Sequence, residues 1–212
     1  MTSTRSFLFT AMVVLLALAA CAPVPTRPPV ADPEAAWSRH RAAVGQVNDW
    51  HLNGNLAVAA HGDGGQARVD WRQRNGAFDI RLSGPLGSGA VRLSGDDGGA
   101  TLALDNGERH RNSDASWLLY QQTGWWIPVE ALRWWALGLP APDAPAQLAL
   151  DDQGRLARLV QNGWTIRFDR YVAERGIDVP GRLVASAEDA EVRLVVRRWE
   201  LSRSGPVAAH GG

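Results

Sequence analysis

Apolar and polar residues alternate along two long parts of the chain, and this period of two predicts β-strands. The first part runs from Trp50 to Leu104 and the second from Gln147 to Trp199. Glycine-containing turns, among them Asn75-Gly76 and Asn106-Gly107, separate the strands and favour hairpins. Each strand has one apolar face and one polar face rich in arginine. The pattern therefore predicts an antiparallel sheet with a single buried side.

Three segments depart from this period and predict short helices. Asp32-Pro33-Glu34 provides an N-cap, a proline at the first helical position and an early acid, for a helix as far as about Gln46. A second helix follows Asp114 and ends at Gly124, and a third runs from about Val129 to Leu137. Helices inserted in the middle of a sheet must bury their apolar stripes, and an apolar trough offers that cover. We predict a mainly β fold with α: an open, unclosed, curved antiparallel β-barrel with a short-helix lid over an apolar cavity.

The N-terminus indicates export. Arg5 precedes an apolar run of about 15 residues, too short for the ~20 that span a bilayer as a helix. A basic start, an apolar stretch and small residues predict a secretory signal peptide. Leu18-Ala19-Ala20-Cys21 also resembles a bacterial lipobox, which implies that Cys21 begins the mature chain and carries lipid. Ala22, in place of Asp, would then permit transport to the outer membrane; the alternative is an ordinary signal peptide with a chance cysteine.

These features divide the chain into four parts. Residues 1–20 are the predicted lipoprotein signal peptide, and residues 21–31 are the lipidated cysteine with an extended, proline-rich tether. Residues 32–201 are predicted to form one domain, followed by a disordered tail at residues 202–212. Because Cys21 is the only cysteine, the fold has no intrachain disulfide.

Composition and motifs argue against several function classes. The formal net charge is +0, which favours neither nucleic acid nor another strongly charged partner. All 22 basic residues are arginine, so a Walker-A loop, a Schiff-base lysine and Ser–Lys chemistry are excluded. The five histidines have no metal-binding spacing, and the acidic pairs Asp96-Asp97 and Asp151-Asp152 adjoin turn glycines or lie close to them. We therefore predict a protein that is not an enzyme and needs neither cofactor nor metal.

Several ordered segments together resemble the LolB family of outer-membrane lipoprotein receptors. They span Trp50 to Trp199 and are Trp50–Val58, Arg81–Gly89, Ile127–Val129, Leu132–Pro140, Gln161–Trp164 and Trp199 itself. The resemblance implies a monomer anchored to the periplasmic face of the outer membrane, which accepts lipoproteins from the periplasmic carrier LolA. Their acyl chains would enter the apolar cavity and then the outer-membrane phospholipid. The lack of lysine and the tail beyond Trp199 depart from the family pattern.

Two sets of site residues follow. The candidate cavity residues are large and apolar, and ordinary core packing is an equally good interpretation of each: Trp71, Phe78, Ile80, Leu82, Val91, Leu93, Trp117, Leu118, Leu132, Trp135, Trp164 and Ile166. The second set is Pro85, Leu86 and Gly87, where Leu86 has only small or turn-forming neighbours. A single exposed leucine is ordinary, but the resemblance implies that this loop enters the membrane and promotes cargo release.

Two other classes stay open at this point. One is a lipid-anchored binding or scaffold protein that uses the trough for another apolar ligand, or simply as core. The other is a lipid-anchored hydrolase, which would need a polar catalytic cluster at the mouth of the trough.

Overall fold

The computed structural model describes residues 27–60, 63–84, 89–142 and 144–203. Within these ranges the chain forms three helices and eleven strands. The helices are α1 (Pro33–Val44), α2 (Ala115–Thr123) and α3 (Val129–Trp135). The strands are β1 (Val47–Ala60), β2 (Asp63–Arg74), β3 (Ala77–Ser83), β4 (Val91–Asp96), β5 (Gly99–Leu104), β6 (Arg109–Asn112), β7 (Ala146–Leu150), β8 (Leu156–Gln161), β9 (Trp164–Glu174), β10 (Ile177–Ser186) and β11 (Ala190–Arg203).

All the strands belong to one antiparallel sheet. Its order is β6-β5-β4-β3-β2-β1-β11-β10-β9-β8-β7, so two meanders meet where β1 pairs with β11. The edge strands β6 and β7 do not pair with each other, which leaves the sheet open. The predicted fold class, an open antiparallel sheet covered by short helices, is confirmed.

The sheet has two distinct ends. We call proximal the end where β1 begins at Val47 and where the β4–β5 and β9–β10 turns lie. We call distal the opposite end, where β1 meets β2 at Ala60 and where β3 leads into β4 after Ser83. β1 contains 14 residues, so the two ends are about 45 Å apart at ~3.3 Å per residue.

The alternation of the sequence appears directly in the burial of β1. Leu52, Gly54, Leu56 and Val58 are buried, whereas the residues between them are partly accessible. At the proximal end the ring of Trp50 lies 5.2 Å from that of Trp71 and 5.5 Å from that of Trp199. Aromatic pairs at such distances stabilise a core beyond their buried area. One face of the sheet is therefore a continuous apolar interior.

The predicted boundaries need four corrections. α1 ends at Val44 instead of Gln46, and α3 ends at Trp135 instead of Leu137. β1 starts at Val47 instead of Trp50. β11 continues to Arg203, two residues into the predicted tail, because its pairing with β1 extends to Val47. Residues 204–212 of that tail lie outside the described ranges.

The proline-rich segment is also less free than predicted. Its described part is fixed to the proximal end: the Val30 N–H donates to the Asp152 carbonyl at 2.8 Å. The Gln153 side chain donates to the Pro28 carbonyl at 2.8 Å, and Arg27 pairs with Asp178 at 3.0 Å. Residues 27–30 of the predicted tether are therefore part of the folded domain. Cys21 lies outside the described residues.

Candidate functional site: an apolar interior under a helical lid

Helices α2 and α3 form a lid over the apolar face of the sheet. Asp114 caps α2 by accepting a hydrogen bond from the Trp117 N–H at 2.9 Å, and Gly124 ends the helix with φ 71°. Leu118 and Leu119 are buried on its inner side. α2 packs against β4, β5 and β6, so it covers one half of the sheet.

The two lid helices are joined by Ser116. Its hydroxyl donates to a Glu130 carboxylate oxygen at 2.7 Å and accepts from the Val129 N–H at 3.0 Å. The first turn of α2 is thereby tied to the first turn of α3, where Val129 has no side-chain cap of its own. The bonds make the two helices a single unit. Ser116 was not among the predicted site residues, and nothing in its local pattern distinguishes it.

Gln161 fastens α3 to the edge of the sheet. Its side-chain oxygen accepts from the Trp135 indole N–H at 3.0 Å and from the Ala141 N–H at 2.9 Å. Its amide nitrogen donates to the carbonyls of Ala141 at 2.8 Å and Ala144 at 3.1 Å. Gln161 is 1% exposed. One polar side chain inside the apolar interior thus holds the lid to β8.

At the distal side of the lid, the Trp125 ring packs against the backbone of Gly65 on β2. A Cβ atom at Gly65 would lie 2.2 Å from the Trp125 ring, a distance that no side chain tolerates. The absence of a side chain on β2 therefore lets the connection between α2 and α3 lie flat on the sheet. Trp125 is itself partly buried against the core.

The middle of the interior, beneath Leu119 and Leu132, is almost filled. A small, all-apolar cavity of about 20 Å³ lies between the lid and the sheet, room for about one water molecule. Every residue that lines it is apolar: Leu56, Val69, Trp71, Ile80, Leu82, Leu119, Ile127, Val129, Leu132 and Leu194. A water there would find no polar side chain, so the space suits hydrocarbon. A second cavity, of about 220 Å³, lies between the lid and the proximal part of β2–β5, and its lining includes the polar side chains of Gln73, Glu130 and Arg133.

The structure brings most of the predicted cavity residues together. Four of them line the small apolar cavity: Trp71, Ile80, Leu82 and Leu132. Five more are buried in the surrounding core: Leu93, Leu118, Trp135, Trp164 and Ile166. Phe78 and Val91 are partly buried against that core. The residues that the prediction missed on strands, Leu56, Val69 and Leu194, occupy apolar positions of the same alternation and could have been found from it.

Trp117 is the exception among these predictions. It is 39% exposed and lies on the outer side of α2, where it contacts the rings of Tyr120 and Trp126. Its prediction as an interior residue is wrong because Leu118 and Leu119 occupy the inner side of this short helix. Pro85, Leu86 and Gly87 lie outside the described residues, so their predicted role stays a prediction.

A cleft of about 650 Å³ opens beside the lid. Its apolar lining consists of Trp126, Pro128, Ala131, Trp134, Ala141 and Pro142. Three carboxylates border it, and each has a contact in the fold: Asp114 caps α2, Glu130 holds Ser116, and Asp97 lies 3.8 Å from Arg133. The cleft leads along the lid, between the two halves of the sheet.

Comparison with solved structures identifies the fold. A solved LolA superfamily protein from Nitrosomonas europaea shares the fold, with a TM-score of 0.53 at 11% identity over 78% of this chain and 94% of that one. A lid of short helices on an open antiparallel sheet therefore defines a protein of the LolA/LolB-like fold. Within the part of the chain that the structure describes, no helix is long and apolar enough to cross a membrane.

Sequence comparison identifies the family. The family model described as outer membrane lipoprotein LolB matches residues 48–199. The chain is 40% identical to the outer-membrane lipoprotein LolB of Pseudomonas paraeruginosa PA7, over 80% of this chain and 82% of the relative. Identity is 41% to the LolB of Ectopseudomonas mendocina, over 81% and 84%. The chain belongs to the LolB family of outer-membrane lipoproteins, which confirms the predicted family and the predicted lipid-anchored location at the outer membrane.

Proposed function

We propose that this protein is the outer-membrane receptor that accepts lipoproteins from the periplasmic carrier LolA and inserts them into the outer membrane. The observation that supports this proposal best is the all-apolar cavity lining beneath a lid of two joined helices. Family membership supports the same function. The protein works as a monomer, without catalysis or a nucleotide.

The chemistry of the cargo explains why such an interior is needed. Burial of hydrocarbon contributes ~0.8 kcal/mol per methylene, so a sixteen-carbon acyl chain in water is disfavoured by about 12 kcal/mol. A lipoprotein with several such chains must pass from one apolar site to the next. Leucine, isoleucine, valine and tryptophan walls accept acyl chains without directional bonds, and this tolerates cargo of varied chain structure.

The size of the small apolar cavity requires the lid to move when cargo binds. About 20 Å³ accommodates no acyl chain. The joined pair of helices must lift away from the sheet, which separates Leu119 and Leu132 from the strand residues beneath them. The bonds of Gln161 to Trp135 and Ala141 lie at the edge where this motion would begin. The adjacent cleft gives the acyl chain a route along the lid.

Insertion is assigned to Pro85, Leu86 and Gly87. The described residues on either side, Gly84 and Gly89, follow β3 and precede β4 at the distal end. An apolar tip there would enter the bilayer and provide a path for the acyl chains. Cys21 is the proposed site of the lipid anchor, and it keeps the receptor at the periplasmic face of the outer membrane.

The decisive experiment is a transfer assay in solution. The chain without residues 1–21 is mixed with LolA that holds an acyl-labelled lipoprotein, and the label is followed by affinity capture of each protein. Movement of the lipoprotein onto this protein is the expected result. If the cargo stays on the carrier of the same species while this protein is folded, the receptor function is wrong, and the interior serves another apolar ligand or none.

Two variants separate the later steps. Leu86→Glu should accept cargo normally but fail to insert it into vesicles, whereas Leu148→Glu, also a charge at an apolar position but on the edge strand β7, should insert normally. If Leu86→Glu inserts the cargo at the wild-type rate, the proposed role of Leu86 in insertion is wrong. Cys21→Ser should leave the membrane fraction, and its recovery there at wild-type levels would contradict lipidation at Cys21.

A further inference from the structure

Three aromatic side chains form an exposed cluster on the outer side of the lid. Trp117 and Tyr120 project from α2, and Trp126 joins them from the connection to α3. The ring centroids are 5.5 Å apart for Trp117 and Tyr120, 5.8 Å for Tyr120 and Trp126, and 6.5 Å for Trp117 and Trp126. The three side chains are 39–43% exposed. We call them the aromatic cluster.

Most of the exposed large hydrophobic side chains are grouped in the aromatic cluster. Among the residues of known placement, four large hydrophobic side chains are exposed, and three of them belong to the aromatic cluster. The fourth, Leu148, lies elsewhere, on β7. Single exposed apolar residues are ordinary, but a contiguous patch marks a surface that another body covers.

The chemistry of the patch favours a lipid surface. Each ring combines a broad apolar face with one polar group, and tryptophan and tyrosine are enriched where hydrocarbon meets the headgroups. α2 contains no charged residue, and neither does the connection 124–128. By contrast, the outer face of the sheet carries several ion pairs, such as Arg92 with Asp79 and Arg182 with Asp169. The cluster is thus a neutral, aromatic area on a protein whose outer sheet face is rich in charged side chains.

The attachment of the chain brings the proximal end of the domain, where α2 begins, near the bilayer. Arg27, the first described residue, pairs with Asp178 at the proximal end. α2 starts at the same end, because it follows β6, whose Asn112 pairs with Ala100 beside the β4–β5 turn. With lipid on Cys21, as proposed above, only six peptide steps separate the membrane from Arg27, a reach of about 20 Å.

We propose that the aromatic cluster lies in the headgroup region of the outer membrane's inner leaflet, with the lid side of the protein against the bilayer. From the proximal end, α2 runs along β4–β6, and Trp125 after it contacts Gly65 near the distal end. When the protein lies with its lid side on the bilayer, the proximal and distal ends of the sheet are both close to the lipid. The flanks of residues 85–88 belong to the same half of the sheet. The buried face of α2 lies directly behind the cluster, so the opening lid faces the phospholipid.

A spin label next to the cluster tests this placement without disturbing the rings. Gln121 is exposed and follows Tyr120 on α2, and Cys21, the chain's only cysteine, is acylated in the anchored protein. Gln121→Cys therefore provides one free thiol for a nitroxide, and Leu148→Cys on β7 is the matched control. Both lipidated proteins are placed in vesicles of phosphatidylethanolamine and phosphatidylglycerol. Collisions with oxygen and with a water-soluble nickel complex then report the depth of each label.

The expected result is an oxygen-accessible label at position 121 and a water-exposed label at position 148. Adding Trp117→Ser and Trp126→Ser should return the first label to water. A water-exposed label at 121 in the chain with its aromatic residues intact would overturn the proposal. Because this measurement does not use the double variant, it does not depend on how that variant folds. Transfer from LolA is measured separately, without vesicles. If label 121 is in water in the chain with its aromatic residues intact and the aromatic variants lose that transfer, the cluster docks the carrier and the membrane assignment is wrong.

Discussion

The indole of Trp135 donates a hydrogen bond to the amide oxygen of Gln161 at 3.0 Å, in a mainly apolar interior. Trp135 is fully buried on α3, and Gln161 ends β8, the strand next to the edge strand β7. A buried amide whose oxygen accepts two hydrogen bonds and whose nitrogen donates two stabilises the fold much more than a surface hydrogen bond does. If the amide is removed, its buried partners have no water with which to form hydrogen bonds instead. This pair therefore joins the movable part of the protein to the fixed part.

The variant Gln161→Leu tests that connection. It leaves the Trp135 N–H and the backbone groups of Ala141 without partners, and each such group costs about 1–3 kcal/mol. We expect a loss of about 3 kcal/mol in the free energy of unfolding, measured by urea denaturation. We also expect stronger binding of a fluorescent fatty acid, since a loosened lid opens more often. Gln147→Leu, at an exposed position of β7, should change neither quantity; an unchanged stability for Gln161→Leu would contradict the role of the pair.

A side chain at Gly65 should disturb the distal side of the lid. Gly65→Val pushes a Cβ into the Trp125 ring, and overpacking of this kind costs about 1–3 kcal/mol. Hydrogen exchange of residues 119–129 should become faster, because the connection between the helices can no longer rest on β2. Gln66→Val places the same side chain at the neighbouring exposed position and should leave the exchange as it was. Equal exchange in the two variants would mean that Trp125 does not hold the lid down.

The inner face of α2 should carry a large share of the stability. Leu118 is 2% exposed, and Leu118→Ala removes its contacts and leaves a cavity, for an expected loss of about 3 kcal/mol. Leu148→Ala makes the same change on the surface and should stay within about 0.5 kcal/mol of wild type. Thermal and urea unfolding measure both. Similar losses in the two variants would show that α2 does not pack on the sheet.

Acid should weaken the turn that holds the N-terminal segment. Burial of the Asp151 carboxylate alone would raise its pKa, but hydrogen bonds from the Arg155 side chain, at 2.7 and 2.9 Å, and from the backbone N–H groups of Arg155 and Gln153 lower it below its usual value. A lowered pKa adds stability above the unfolded value of ~3.9, and this stability is lost as the pH falls through the folded value.

The variant Asp151→Asn should therefore be less stable than wild type by about 1–2 kcal/mol at pH 7, a figure reduced for the partial exposure of the pair. The difference should shrink below about pH 4, as the wild-type carboxylate becomes protonated. Urea unfolding at pH 7 and at pH 3 gives the comparison. Asp152→Asn changes the adjacent exposed carboxylate and should have little effect. A difference that persists undiminished at pH 3 would exclude a charge-dependent role.

The sheet could be predicted because each strand carries its own signal. The alternation at Leu52, Leu56 and Val58 requires only neighbouring residues, and turn glycines mark where strands stop. The helix positions followed from caps such as Asp114 and Gly124. The orientation of α2 did not, because nine residues make too few turns to decide between Trp117 and its apolar neighbours.

Other parts of the site depend on residues far apart in the chain. Gln161 reaches Trp135 across 26 positions, and Arg27 reaches Asp178 across 151. No local pattern marks a polar residue that becomes buried by such a contact. The docked proline-rich segment illustrates the same limit, since its composition is that of a free tether. The small volume of the apolar cavity under the lid is equally a property of how the lid helices pack and not of which residues they contain.

The small volume of the apolar cavity under the lid has a consequence for the direction of transport. An acyl chain that enters must replace the protein's own leucines, so the lid competes with the cargo for one and the same space. The apparent affinity is lowered by the free energy of opening, and that free energy is recovered when the lid closes again. Refolding of the lid onto its sheet therefore helps to expel the acyl chain, and the bilayer has only to accept what the closing protein releases.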